Sequence, residues 1–363
     1  MNILFVNHSS SLTGATISCY HLMMGLKNDF VPVFATREYG PIIENLNKSG
    51  INTYIIEKKG FLGFHYILSF LKILKKHNVT LIHLNTLTPF CKYAAIAGYL
   101  CRIPIVWVVR ENPLISRSRR LRFWLTSLAS KIIFVDRDTK EKLFQNSRHN
   151  VDVIYNGVDI NVFKPAESNF LFEKFNIESD KQLIGYIGLI TKRKGIEYLI
   201  RAFGLIKEKT DNIKLIIIGE YKKSDESYFE EIKTIIKELS LENEVYFTGL
   251  LTDVRDALCS LDLVILPSLE ERCSRSLLES LACAKAVIAT KVGGNPEIVE
   301  DGVNGILVEP ENEKQIAQAI IKLISNHELR RKMGENGRLK AVDKFNMEKH
   351  IQKMKNVFLE VLS

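Results

Sequence analysis

Proline is scarce, nine in 363 residues, and no low-complexity segment or short repeat is present. Collagen-like, linker-like and solenoid architectures are thereby excluded. The six cysteines, at 19, 91, 101, 259, 273 and 283, form no closely spaced pair and have no histidine at zinc-ligand spacing. A disulfide framework and a structural zinc site are therefore not expected, and the thiols are expected to fill core space in a reducing compartment. No apolar run reaches the ~18 residues of a membrane span, since the best candidate, AAIAGYLCRIPIVWVV, is cut by Arg102 and Pro104. The opening MNILFVNHSS lacks a basic n-region and reads as a first buried strand instead of a signal peptide, so a cytoplasmic location is expected. The turn after that strand lacks the glycine triplet of a dinucleotide fingerprint, which argues against a nicotinamide dehydrogenase.

What is present is the composition of a folding chain, 46% hydrophobic and 25% charged, long enough for two domains. Short apolar runs alternate with helical periodicity throughout. In the first half they are ILFV, VPVFA, TLIHL, IPIVWVV, KIIFV and VDVIY; in the second, QLIGYIG, IKLIIIG, EVYFTG, DLVILP, AVIAT and GILV. Strands that alternate with helices predict parallel sheets, here two doubly wound α/β domains. The segment NGVDINVFKP breaks the periodicity and places the boundary near 165. The expected domains are 1–165 and 166–344, with a helix at about 345–363 able to pack back on the first.

Charge is unevenly placed. Residues 1–165 carry 21 Lys and Arg against 10 Asp and Glu, whereas 166–363 carry 29 against 32. A basic first half suits an anionic partner, such as a phosphorylated acceptor or an acidic membrane surface. Arg117, Arg119, Arg120 and Arg122 concentrate that charge, although a solvated helix face explains them equally well. No nucleic-acid motif accompanies the charge, and nucleic acid is not the expected partner.

Three constellations sit at strand-to-helix turns, where open α/β sheets bind ligands. In the first, NHSSSLTGATIS, Gly14 opens a helix behind Thr13, a candidate N-cap. It is either a plain turn or a place where backbone amides meet a phosphate. In the second, Lys192, Arg193 and Lys194 precede a helix. Cations there oppose the helix dipole unless an anion lies between them, and a diphosphate fits. The spacing is not that of a P-loop. In the third, Glu271 and Glu279 flank a helix expected to begin near Ser274. Eight residues of helix span ~12 Å, a distance comparable with that from a ribose across a pyrophosphate to a sugar. That spacing lets one carboxylate meet ribose hydroxyls and the other a reacting sugar; the competing reading is a dipole partner and a surface residue.

Together these residues resemble a retaining glycosyltransferase of family 4. The segments that carry the likeness are YNGVD at 155–159, TKRKG at 191–195, PSLEERCSRSLLES at 267–280, VGGNPEIV at 292–299 and DGVNGILV at 301–308. The resemblance implies the GT-B fold class, two Rossmann-like doubly wound parallel-sheet domains facing across a cleft. It implies that Glu279 binds the donor ribose and that Glu271 sits beside the transferred sugar. Lys194, with Arg193 beside it, would grip the diphosphate, and Gly14 would meet the donor from the first domain. Gly293 and Gly294 match a tight turn after a core strand. Leu189 stands where an arginine is common, so the grip rests on Arg193 and Lys194. Arg272, Cys273 and Ser274, followed by Arg275, replace a Gly-Phe-Gly, which alters how backbone amides approach the donor sugar; Ser274 and Arg275 are expected among the donor-binding residues. Arg110 replaces a frequent histidine and, with Glu111 and Asn85, is expected on the acceptor side.

The implied function is transfer of a sugar from a nucleotide-diphosphate donor, a UDP- or GDP-sugar, to a hydroxyl acceptor. The reaction would proceed with retention and without a metal or cofactor. The expected acceptor is a sugar, glycan or lipid-linked glycan in cell-surface polysaccharide or glycolipid synthesis, with peripheral contact to the inner face of the plasma membrane. The alternatives are a GT-B epimerase or phosphorylase and a non-catalytic nucleotide-sugar-binding protein.

Overall fold

The computed structural model describes residues 1–57, 63–111, 124–125, 127–144, 150–207 and 210–363. The chain forms two compact units, one of Met1–Gly157 with Met347–Ser363 and one of Val158–Asn346. The expected boundary was 165. The crossing falls earlier, at the glycine of YNGVD, where a Cβ on Gly157 would come within 2.7 Å of the Met347 backbone. The arginine cluster at 117–122 lies outside the described residues.

The first unit holds a seven-stranded sheet in the order β3-β2-β1-β4-β5-β6-β7. Its strands are β1 (Asn2–Val6), β2 (Val31–Thr36), β3 (Asn52–Ile55), β4 (Val79–Leu84), β5 (Ile105–Val109), β6 (Lys131–Phe134) and β7 (Val151–Val153). Every pairing is parallel. The inner strands are buried on both faces, which is why they appear as unbroken apolar runs. Strand β3, NTYI, was not expected; it is a half-exposed edge strand whose polar residues hide it. Phe70, Phe90, Trp107 and Phe134 fill the core on one side. The last helix, Met347–Leu362, belongs to this unit, and its Phe358 ring packs 6.2 Å from Phe5 and 5.6 Å from His83.

The second unit holds six parallel strands in the order β10-β9-β8-β11-β12-β13. They are β8 (Gln182–Ile187), β9 (Ile213–Ile218), β10 (Val245–Gly249), β11 (Leu263–Leu266), β12 (Ala286–Thr290) and β13 (Gly305–Val308). All six match the apolar runs of the sequence. Tyr186, Phe203, Ile217 and Ile320 are among the buried residues of its core.

Both strand orders reverse once, between β1 and β4 in the first sheet and between β8 and β11 in the second. At such a reversal the neighbouring strand-to-helix loops part and leave a crevice at the carboxyl edge. Asn7 and Asn85 follow β1 and β4, whereas Lys194 and Glu271 lie on the loops after β8 and β11. Of the cysteines, five are buried as expected and Cys101 is exposed, because it ends the helix Pro89–Leu100 at the surface. No described helix is long and apolar enough to cross a membrane.

Candidate active site

The loop after β8 closes in a single 3-10 turn, Lys192–Lys194, before the helix Ile196–Lys207. The turn docks on the loop after β11 through its backbone. The Arg193 carbonyl accepts from the amides of Leu269 at 2.8 Å and Glu270 at 3.3 Å. Gly195 makes the dock possible, because its φ of +61° suits glycine and a Cβ would lie 2.4 Å from the Pro267 carbonyl oxygen.

Lys194 and Glu271 meet directly through Nζ and Oε2, each side chain only 10% exposed. The Ser268 hydroxyl donates to the same carboxylate oxygen at 3.1 Å. Burial alone would raise the Glu271 carboxyl. Lys194, then Arg193 and the Ser268 hydroxyl, reverse that effect and hold it below the ordinary range. Arg193 itself is exposed. The anion that offsets the dipole-opposing cations in this structure is thus the protein's own Glu271. Behind it, Gly293 has φ +50°, and a Cβ there would fall 1.9 Å from the Glu271 carbonyl oxygen. Gly294 has φ −81° and carries no such requirement.

The helix Arg275–Ala282 starts at Ser274, as expected, with the Ser274 hydroxyl accepting from the Leu277 amide at 3.5 Å. Glu279 lies one turn inside and is 9% exposed. Arg275 reaches it with two bonds to Oε1, from Nη2 at 2.6 Å and Nε at 3.2 Å.

Two features of the second unit were not anticipated. Ser268, which the sequence marks only as part of the segment 267–280, holds the Glu271 carboxylate. A helix start offers its first amides to an anion, but at Ile196–Lys207 the Tyr228 hydroxyl accepts from Ile196 at 3.0 Å and Glu197 at 3.4 Å, while donating to the Glu197 carboxylate. The anion grip of this turn consequently falls to side chains. Burial raises the Glu197 carboxyl, and the Tyr228 hydroxyl pulls it partly back. The contact spans 31 residues and left no signal in the sequence.

In the first unit, Gly14 is the exposed first residue of the helix Gly14–Leu26. Thr13 precedes it without a side-chain cap; its hydroxyl lies 2.9 Å from that of Thr16. Arg110, Glu111 and Asn85 come together at the carboxyl edge of β4 and β5. Arg110 Nε donates to Asn85 Oδ1 at 3.0 Å, and Nη1 donates to Asn156 of the YNGVD segment. Glu111 Oε2 accepts from the Leu87 amide at 3.0 Å. Burial raises the Glu111 carboxyl against that bond and the Arg110 charge. His83 is a core residue, as expected, with burial and then Arg110 pushing it down to about 3. His350, on the last helix, is likewise held down to about 4 by burial and Arg110, and its Nδ1 lies 2.8 Å from the Tyr155 carbonyl.

The sequence pattern of glycosyltransferase family 4 matches residues 12–162, and that of glycosyl transferases group 1 matches 167–340. This chain belongs to the group 1, family 4 glycosyltransferases. It is 29% identical over 357 residues to an uncharacterized glycosyltransferase of Methanocaldococcus jannaschii, covering 96% of this chain and 95% of the relative. It is also 29% identical to the capsular polysaccharide biosynthesis glycosyltransferase CapM of Staphylococcus aureus, over 64% of this chain and 63% of CapM. Among solved structures, Anabaena HepE in complex with UDP and glucose superposes with a TM-score of 0.89 at 24% identity, covering 98% of each chain. The fold is therefore GT-B, and the protein is a glycosyltransferase enzyme.

Proposed function

We propose that this glycosyltransferase takes a sugar from a nucleotide-diphosphate donor and passes it to a hydroxyl acceptor with retention of configuration. One observation carries the reading: Lys194, Glu271 and Ser268 converge, with Arg193 alongside, where the second sheet reverses its strand order. In this reading Lys194 and Arg193 take the donor diphosphate and stabilise the charge that grows on it as the glycosidic bond breaks. Glu271, released from Lys194, accepts hydroxyls of the transferred sugar, and Glu279 takes the ribose. The acceptor hydroxyl attacks from the face the diphosphate leaves, and a diphosphate oxygen receives its proton. The two cations supply the charge neutralisation that a metal would otherwise provide.

A uridine donor is favoured by the UDP and glucose seen in HepE. A growing cell-surface polysaccharide is favoured as acceptor by the role printed for CapM. On the first unit, Arg110, Asn85 and Glu111 form the acceptor-side set, and Gly14 offers the amide of a helix start to the donor. The test is a panel of UDP- and GDP-sugars incubated with oligosaccharide and small hydroxy-acid acceptors, with the anomeric configuration of the product read by NMR. Glu271→Gln should cut turnover by about 100-fold, the scale of losing one preorganised electrostatic contact, assayed well below its melting temperature because the variant also leaves the buried Lys194 ammonium without its carboxylate. Inverted product, or unchanged turnover in Glu271→Gln, overturns the proposal.

A further inference from the structure

Arg275 occupies a position where it works against the stability of its own helix. It is the first residue of Arg275–Ala282, so its cation sits at the positive end of the helix dipole. It pairs with Glu279 four residues on, the weaker of the two orders for such a pair. Its Nη1 is buried with no hydrogen-bond partner among the described residues, an arrangement that leaves a desolvated donor uncompensated. Both bonds it does make fall on one oxygen, Glu279 Oε1. No described residue donates to Oε2.

A side chain held at a cost to its helix, and aimed at one half of a carboxylate, is explained by what it does to the other half. From this geometry we infer that Arg275 is a positioning residue: it locks the Glu279 carboxylate so that Oε2 faces the vicinal hydroxyls of the donor's ribose. The inference rests on the donor-site reading given above and adds the source of its selectivity for ribose. A carboxylate oxygen fixed in direction can accept from both ribose hydroxyls; one that rotates freely loses that advantage to its own entropy.

The experiment measures binding of UDP and GDP, each against its 2′-deoxy counterpart, by calorimetry on the full chain. Wild type should prefer the ribonucleotide by about tenfold, the worth of one hydrogen bond to a charged group. Arg275→Met should lose that preference to within about twofold of equality, measured in protein shown to be folded by far-UV circular dichroism. Arg275→Lys keeps the charge without the fork, and should fall between them. It also carries the test if the methionine variant fails to fold. Retention of the full ribose preference in the folded Arg275→Met or Arg275→Lys variant overturns the inference, as does a wild type that binds UDP or GDP without preferring ribose. A wild type that binds none of the four nucleotides overturns the donor-site reading beneath it.

Discussion

Removal of the Lys194 ammonium strands the Glu271 carboxylate. Both side chains are 10% exposed, and among the described residues the carboxylate keeps only the Ser268 hydroxyl as a direct side-chain partner. Breaking a buried pair from one side costs about 3–5 kcal/mol, because the remaining charge is desolvated and uncompensated. Lys194→Met should therefore destabilise the second unit by that amount near neutral pH. Adding Glu271→Gln should return most of it, since a neutral amide carries far less desolvation cost. The pH dependence supplies a sign. In wild type the Glu271 carboxyl is held below its unfolded value, so its contribution is present above that value and lost as pH falls. In Lys194→Met burial dominates and the carboxyl moves up, so the variant regains stability as the medium is acidified and the group takes a proton. The assay is urea unfolding followed by far-UV circular dichroism. Tryptophan fluorescence cannot serve, because Trp107 and Trp124 both lie in the first unit and report on that unit alone. A loss under about 1 kcal/mol in Lys194→Met, the scale of an exposed pair, would refute the reasoning. So would a double variant no more stable than the single one.

That same fluorescence tests the first unit. His83 and His350 are held neutral down to about 3 and about 4 respectively. Their folded values lie below the unfolded value near 6.5, so stability is full above it and falls below it by about 1.4 kcal/mol per histidine per pH unit. His83→Phe, whose ring suits the space beside Phe5 and Phe358, should about halve that acid slope; an unchanged slope would show that His83 does not titrate on unfolding. For the second unit, Gly293→Ala places a Cβ against the Glu271 carbonyl at a left-handed φ. It should cost at least about 1–2 kcal/mol and lower turnover further than the stability loss explains, because Glu271 must shift. Full activity in Gly293→Ala would contradict the bracing role.

The strands were readable wherever both faces are buried, as with IVWVV or IKLIII, because an unbroken apolar run has few other uses. NTYI was not, since an edge strand needs neither face fully covered. At the site, Lys194 could be found at the turn after β8, and Glu271, Ser274 and Glu279 from their short spacing at the turn after β11. Ser268 could have been added, since it lies one helical step before Glu271 in the same loop. The Tyr228 bond to the helix at 196 depends on how two helices settle against each other, which no local pattern encodes. Nor did composition reveal that Cys101 would end a helix in solvent; cysteine burial is a tendency, and the position of the helix end decided it.

The return of residues 347–363 to the first unit has a consequence for biogenesis. Phe358 completes the packing around Phe5 and His83, so the amino-terminal lobe stays unfinished until that residue has left the ribosome. The lobe at 158–346 is continuous in the chain and can reach its native state earlier, ahead of the one whose synthesis began first. A premature stop after Asn346 would therefore injure the part of the molecule translated earliest, and spare the part translated last.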